Sequence, residues 1–340
     1  MDHTQKLSHK RILLTGGTGL IGSVLTEQLL HLNDSVNADI QLTLLVRNAE
    51  KAQKRFGKTC DRADIELLVG DVCDETVFQN REWDVIVHAA GNAHPMAYSQ
   101  HPVETMQANI LGTMHLLNHA RQQAEKGKPI DKLVLFSSGE IYGDAAMETE
   151  EGWTEDIPGV VDSMKERSCY PESKSAAETL CRCYFKEYGI PAVAARLGYI
   201  FGAGIHQDNT RADAQFLTKA QAGESIVLKS EGLQLRSYCY VNDAVSALIL
   251  LMTEGTPGEA YNISNKDSIA TIRSFAQTMA NTFGVSVTFD LPDTVEKAGY
   301  SKMKQEVLNP QKLYDLGWTP EYSLKDAMQD MRQKLQHKRS

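Results

Sequence analysis

Absences narrow the function of this chain first. No apolar run approaches the ~18 residues of a membrane-crossing helix. The start, Met1-Asp2-His3-Thr4-Gln5-Lys6, carries no apolar core of a signal peptide, so a cytoplasmic protein with no membrane contact is expected. Cations are in deficit: 35 Lys+Arg against 44 Asp+Glu leave a net charge of −9, which argues against a nucleic-acid-binding surface. The six cysteines show no metal-ligand spacing, so no metal site is expected. Cys181 and Cys183 are two apart on a predicted helix and fall on different faces, as packing residues would. Free thiols fit a reducing compartment. There is no internal repeat and no low-complexity linker.

What is present is an alternation of strands and helices over 340 residues, a length that implies one large or two intimate domains. Arg11-Ile12-Leu13-Leu14 reads as a buried parallel strand. Further strands are predicted over 40–46, 65–69, 84–89, 133–137 and 193–197, with helices near 20–31, 103–125 and 170–188. Such alternation predicts an α/β fold with a parallel sheet covered on both faces. The first strand runs into Thr15-Gly16-Gly17-Thr18-Gly19-Leu20-Ile21-Gly22 and then a helical pattern. That context suits a dinucleotide pyrophosphate. Gly16 allows the tight turn, Gly19 allows close backbone approach, Gly22 allows helix–strand packing, and the helix N-terminus supplies N–H groups.

Two later segments carry chemistry. Tyr170-Pro171-Glu172-Ser173-Lys174 places a phenol and an ammonium one helical turn apart on one face. A lysine cation nearby would favour the phenolate of a tyrosine whose ordinary pKa is about 10. The spacing alone is weak evidence, because Tyr300 and Lys304 repeat it with no other site signal around them. Upstream of the first copy stands Ser137-Ser138-Gly139-Glu140-Ile141-Tyr142-Gly143.

Taken in order, these motifs resemble the extended short-chain dehydrogenase/reductase family, specifically its NAD-dependent epimerase/dehydratase branch. Gly70-Asp71, His88-Ala89-Ala90-Gly91, Asn109-Ile110-Leu111-Gly112-Thr113, the segment Arg236 to Asp243 and Leu316-Gly317-Trp318-Thr319-Pro320 extend the resemblance over nearly the whole chain. It implies a Rossmann-like doubly wound parallel sheet with a smaller C-terminal α/β substrate-binding lobe. On that reading residues 1–198, joined by 236–263, form the NAD(P)-binding domain, and 199–235 with 264–340 form the substrate lobe.

The resemblance also implies roles. Gly16, Thr18, Gly19, Leu20, Ile21, Asp71, Val72, Ala89, Ala90, Asn109, Tyr170 and Lys174 would bind the cofactor, with Asp71 at the adenine. Tyr170 would take the proton of the reacting sugar hydroxyl, Ser138 would hydrogen-bond that hydroxyl, and Lys174 would hold the phenolate and the nicotinamide ribose. Arg236 would pair with the substrate pyrophosphate, a task that suits a planar guanidinium. Asp243 is expected to cap the following helix rather than touch substrate. The second strand ends in Leu45-Val46-Arg47-Asn48-Ala49-Glu50-Lys51 with no acid at its tip. Arg47 and Lys51 would clamp a 2′-phosphate, so NADP is narrowly favoured over NAD. Plainer readings stand beside these: Arg47 as a solvated basic turn, Asn109 as a helix residue, Arg236 as a surface arginine paired with an acid.

Glu140 separates the subclasses. In sugar-nucleotide dehydratases and decarboxylases the corresponding glutamate lies near C5 of the sugar, and in dehydratases it removes the C5 proton once C4 is a ketone. Here Gly139 stands where dehydratases carry the aspartic acid that protonates departing water. A purely structural Glu140 is the plainer reading. The expected function is transient oxidation at C4 of a nucleotide-diphosphate sugar with 4,6-dehydratase- or decarboxylase-like chemistry. Alternatives are a 4-epimerase, a ketone or aldehyde reductase, and a non-enzymatic cofactor sensor. A homodimer is expected through the helices near 103–125 and 170–188, whose outward faces include Met114, Leu117, Leu180 and Phe185, although core packing explains some of these equally well.

Overall fold

In the computed structural model, residues 3–93, 95–143, 151–205, 209–291 and 305–337 are described. Tyr300 and Lys304 lie outside them. Thirteen strands are found there: β1 Arg11–Thr15, β2 Gln41–Val46, β3 Ile65–Val69, β4 Val85–His88, β5 Lys132–Ser138, β6 Ala192–Leu197, β7 Tyr199–Phe201, β8 Ile226–Leu228, β9 Leu235–Tyr240, β10 Ala260–Ile263, β11 Ile269–Thr271, β12 Val287–Phe289 and β13 Gln305–Glu306. The α-helices are α1 Leu20–Val36, α2 Ala49–Phe56, α3 Pro95–Gln100, α4 Pro102–Glu125, α5 Cys169–Tyr188, α6 Ala212–Gln221, α7 Val241–Glu254, α8 Ile272–Phe283, α9 Gln311–Asp315 and α10 Leu324–His337.

Seven strands form one sheet in the order β3-β2-β1-β4-β5-β6-β10, and every pairing in it is parallel. The middles of its central strands are continuous apolar runs because both faces are covered. Side chains alternate between the faces with the period of a strand. Ile12, Leu14, Val85, Val87, Val134 and Phe136 join the core that includes α1, α7 and α8. Leu13, Ile86, Leu133 and Leu135 face the other core, with Leu116 and Leu117 of α4 and Ala177 of α5. The expected doubly wound sheet is thus present.

A second sheet runs β11-β9-β13 with β7 also paired to β9, and β8 pairs with β12. The chain passes from β6 through Gly198 directly into this smaller sheet. It regains the large sheet at β10, after α7 has packed beside α1.

Three local readings are revised. α1 runs to Val36, past the expected end near 31, and stops where Asn37 adopts the left-handed conformation (φ 52°) with its N–H on the Leu32 carbonyl. The polar last turn hid those residues from apolar periodicity. Asp243 is not a cap: it is buried inside the first turn of α7 and accepts the N–H groups of Glu321 (2.8 Å) and Tyr322 (3.2 Å), fastening the C-terminal segment to α7. Leu117 is core rather than outward surface, and Leu180 packs against the same core. Phe185 does remain exposed. Among the described residues no helix is long and apolar enough to cross a membrane.

A buried knot joins β1 to β4. The Thr15 hydroxyl oxygen accepts N–H from Ala89 (3.1 Å) and Ala90 (3.0 Å) and lies 2.9 Å from Nδ1 of His88. With two donors arriving at that oxygen, its own proton is assigned to the imidazole, which stays neutral. Burial first, and the Lys174 charge second, push the His88 pKa down to about 3. Below pH ~6.5 the unfolded chain binds a proton that the folded chain refuses, so His88 makes stability fall as pH drops from 6.5 toward 3. Urea melts at pH 7.5 and pH 5 should therefore show a smaller loss on acidification in His88→Asn than in the wild type. Equal losses would remove His88 as a source of acid sensitivity.

Candidate active site

The C-terminal ends of β1, β2, β4, β5 and β6 open into one cavity of about 880 Å³, the position where open parallel sheets hold ligands. Its floor at β1 depends on absent side chains. Gly16 turns the chain at φ +69°, and a Cβ there would lie 2.5 Å from the Ala89 carbonyl oxygen. A Cβ on Gly22 would lie 2.5 Å from the Gly16 carbonyl oxygen, whereas one on Gly19 would meet only that oxygen, at 3.4 Å. Gly19 occupies the N-cap of α1 and offers no side chain to its first N–H groups. A backbone cradle at an uncapped helix N-terminus fits a pyrophosphate. Thr18, Leu20 and Ile21 line the same wall.

At the next wall, Asp71 accepts the N–H of Cys73 (2.8 Å) and Val72 is buried. Asn48 caps α2 by accepting the N–H of Lys51 (3.0 Å). The Arg47 guanidinium, beside it, pairs with Glu104 in the first turn of α4. Arg47, Lys51, Asp71 and Glu104 all line the cavity.

The inner end holds Ser138, Tyr170 and Lys174, all buried. Ser138 ends β5 and caps the short 3-10 turn Gly139–Tyr142 by accepting the Glu140 N–H (3.2 Å). Tyr170 and Lys174 share a face of α5, with the ammonium near the ring and bonded to the backbone. Lys174 Nζ donates to the Phe136 carbonyl (2.7 Å) and lies 5.9 Å from the Tyr170 ring centre. Burial, then the Glu140 charge, raise the Tyr170 pKa, while the hydroxyl of Ser138 opposes them. Lys174 is pushed down to about 8 by burial, with Glu178 opposing. Desolvation outweighs the attraction that spacing alone implied.

Asn109 is buried in α4. Its Nδ2 donates to Ser173 Oγ (2.9 Å), and its Oδ1 has no partner. A Cβ on Gly91 would lie 2.8 Å from that oxygen and 3.7 Å from Lys174 Nζ, so the three residues converge.

Two residues here had no sequence motif. The Tyr98 ring of α3 stacks on Tyr170 (centroids 5.2 Å, 19°), with its hydroxyl 3.5 Å from Glu140 Oε1. Arg167 lies 3.4 Å from Glu140 Oε2. Only its place three residues before Tyr170 hinted at the site. Gly139 lies under Leu308: a Cβ at 139 would be 3.1 Å from Leu308 Cδ1. Leu308 is fixed by Ser237 Oγ, which accepts its N–H (3.0 Å), and by Ser264 Oγ, which donates to its carbonyl (2.8 Å). At the outer end Arg236 stacks on Tyr199 (4.2 Å), with Nε 3.5 Å from Glu306 Oε2. Tyr199 hydrogen-bonds the same carboxylate.

Fold and cavity define a doubly wound nucleotide-site architecture with a tyrosine–lysine pair at its inner end. Residues 12–264 match the NAD dependent epimerase/dehydratase family, and the chain belongs to it. UDP-glucuronic acid decarboxylase 6 of Arabidopsis thaliana is 32% identical over 333 residues, covering 94% of this chain and 87% of that protein. UDP-glucuronic acid decarboxylase 1 of Xenopus tropicalis is 29% identical, covering 96% and 73%. The fold matches a dTDP-glucose 4,6-dehydratase from Streptomyces venezuelae solved with NAD (TM-score 0.79, 23% identity, 97% and 98% covered). It matches equally a UDP-glucuronic acid 4-epimerase from Bacillus cereus solved with UDP-glucuronic acid and NAD (TM-score 0.79, 21% identity, 96% and 99% covered).

The depressed Lys174 value is directly measurable. In the protein without dinucleotide, the Lys174 ¹³Cε resonance should titrate near pH 8, with the amine neutral above it, and should vanish in Lys174→Met. Titration near 10.5 would contradict the buried, carbonyl-bonded placement.

Proposed function

We propose that this chain is an NAD(P)-dependent enzyme that oxidises C4 of a nucleotide-diphosphate sugar and decarboxylates it, with UDP-glucuronic acid as substrate. The observation that carries the choice is Leu308 over Gly139. A dehydratase needs an acid at that position to protonate departing water, and here the position has no side chain and little room for one. The decarboxylase relatives support the same choice.

Gly16, Thr18, Gly19, Leu20 and Ile21 would hold the pyrophosphate, Asp71, Val72, Ala89 and Ala90 the adenosine side and adjoining backbone, and Asn109 with Lys174 the nicotinamide end. The bound nicotinamide supplies hydride acceptance at C4 and its later return. Tyr170 takes the C4 hydroxyl proton and gives it back, and Ser138 aligns that hydroxyl. Their burial keeps water from the exchange. Lys174, with a pKa about 8, is a cation at neutral pH and stabilises the phenolate as it forms. With C4 a ketone, the sugar carboxylate is that of a β-keto acid. The C5–C6 bond breaks, its electrons pass toward the C4 oxygen, carbon dioxide leaves, and C5 gains a proton. Glu140, set between Tyr98 and Arg167, relays that proton. Arg236 binds the diphosphate and exchanges Glu306 for it.

Residues 1–198 with 236–263 serve as the dinucleotide domain, and 199–235 with 264–340 carry the sugar nucleotide. The chain works in the cytoplasm. For the cofactor, Arg47 and Lys51 favour NADP, while the carboxylate of Glu104 beside Arg47 favours NAD.

Incubation with UDP-glucuronic acid and dinucleotide should give a product lighter by one carbon dioxide, with one deuterium at C5 when run in deuterium oxide. Tyr170→Phe should lower that rate by roughly 10²–10⁴-fold with dinucleotide binding retained. A product of unchanged mass would make the enzyme an epimerase, and loss of water would restore the dehydratase. We also propose a homodimer through α4 and α5, where Met106 and Phe185 are exposed. Light scattering should give twice the 37.7 kDa chain mass, and a monomer mass at all concentrations would refute this.

A further inference from the structure

In a doubly wound fold, an acid at the tip of the second strand normally selects NAD by accepting the adenosine ribose hydroxyls. β2 ends in Val46-Arg47-Asn48 and has none. The tertiary structure brings a carboxylate to that place from elsewhere. Glu104, 57 residues along the chain, pairs with Arg47 across the cavity mouth. Both side chains line the cavity beside Lys51 and Asp71. A further observation places these charges around one point: the Cys73 thiol, pushed up to about 11 chiefly by burial, is raised further by Asp71 and Glu104 and lowered by Arg47.

We propose that Glu104 is the residue that selects the dinucleotide, making this an NAD enzyme by neutralising Arg47 and excluding a 2′-phosphate. The wall holds two cations and two carboxylates. A phosphate monoester brings a charge of about −1.5 to −2 near pH 7. If Arg47 turned to grip it, Glu104 would be left unpaired beside that anion. The uncharged ribose diol of NAD asks for an acceptor instead, and Glu104 is one. Glu104 is half-exposed on the first turn of α4, so the ion pair contributes little to folding. Its conservation of fold under substitution is therefore expected, and its charge is free to act on the ligand.

The inference rests on the dinucleotide reading of the cavity, so the test measures binding alone, without sugar. NAD and NADP are titrated calorimetrically into the wild type, Glu104→Gln and Glu104→Lys at low salt. The wild type should prefer NAD. Glu104→Gln should move the affinity ratio toward NADP on the order of tenfold, and Glu104→Lys should move it further, because the first removes a negative charge from the phosphate site and the second also adds a positive one. The shift should shrink as salt is raised. If both dinucleotides bind and the ratio is the same in all three proteins, Glu104 is not the selector. A wild type that prefers NADP also overturns the proposal. If neither binds, the dinucleotide reading fails and this inference fails with it.

Discussion

The close approach of two backbones governs this molecule. The turn after β1 passes so near the end of β4 that a single Cβ at Gly16 would sit 2.5 Å from the Ala89 carbonyl oxygen. Thr15 ties the two together through one hydroxyl serving Ala89, Ala90 and His88. The cradle at the start of α1, the inner wall at Ala89-Ala90-Gly91 and the neutral buried imidazole are consequences of that one contact. Burial first, and the nearby Lys174 ammonium second, disfavour a charged His88 and lower its pKa.

A second polar assembly brings the segment after β13 to the turn that follows β5. Arg196 on β6 holds Glu178 (Nη2 to Oε2, 2.9 Å), the Tyr142 hydroxyl (2.9 Å) and the Glu155 carbonyl (2.9 Å). Asn262 on β10 accepts from that same Tyr142 hydroxyl (2.9 Å) and donates to the carbonyls of Trp153 (2.8 Å) and Asn309 (3.0 Å). These bonds, with Ser237 and Ser264 on Leu308, set a late segment of the chain over the turn that follows β5. Buried polar networks of this kind are stable when their members are satisfied and costly when one is removed. This end of the cavity is therefore built jointly by elements far apart in sequence.

Much was legible in the residues alone. The apolar runs, the glycine turn and the strand–helix alternation determined the doubly wound sheet. Local spacing put Tyr170 and Lys174 on one helical face, and the predicted strand stopped one residue short of Ser138, the last residue of β5. Periodicity and turn chemistry act over a few residues, so they can be read along a line. The polar final turn of α1 and the inward-facing Asp243 escaped because their partners lie outside that range.

Tertiary structure decided the rest. Tyr98 reaches Tyr170 from α3, Leu308 closes over Gly139 from beyond β13, and Glu104 meets Arg47 from α4. The proton affinities of Tyr170 and Lys174 follow from how deeply the fold buries them, which no spacing records. Strand and helix identity come from bonds between near neighbours. Desolvation, charge pairing and steric room come from residues that only folding brings together.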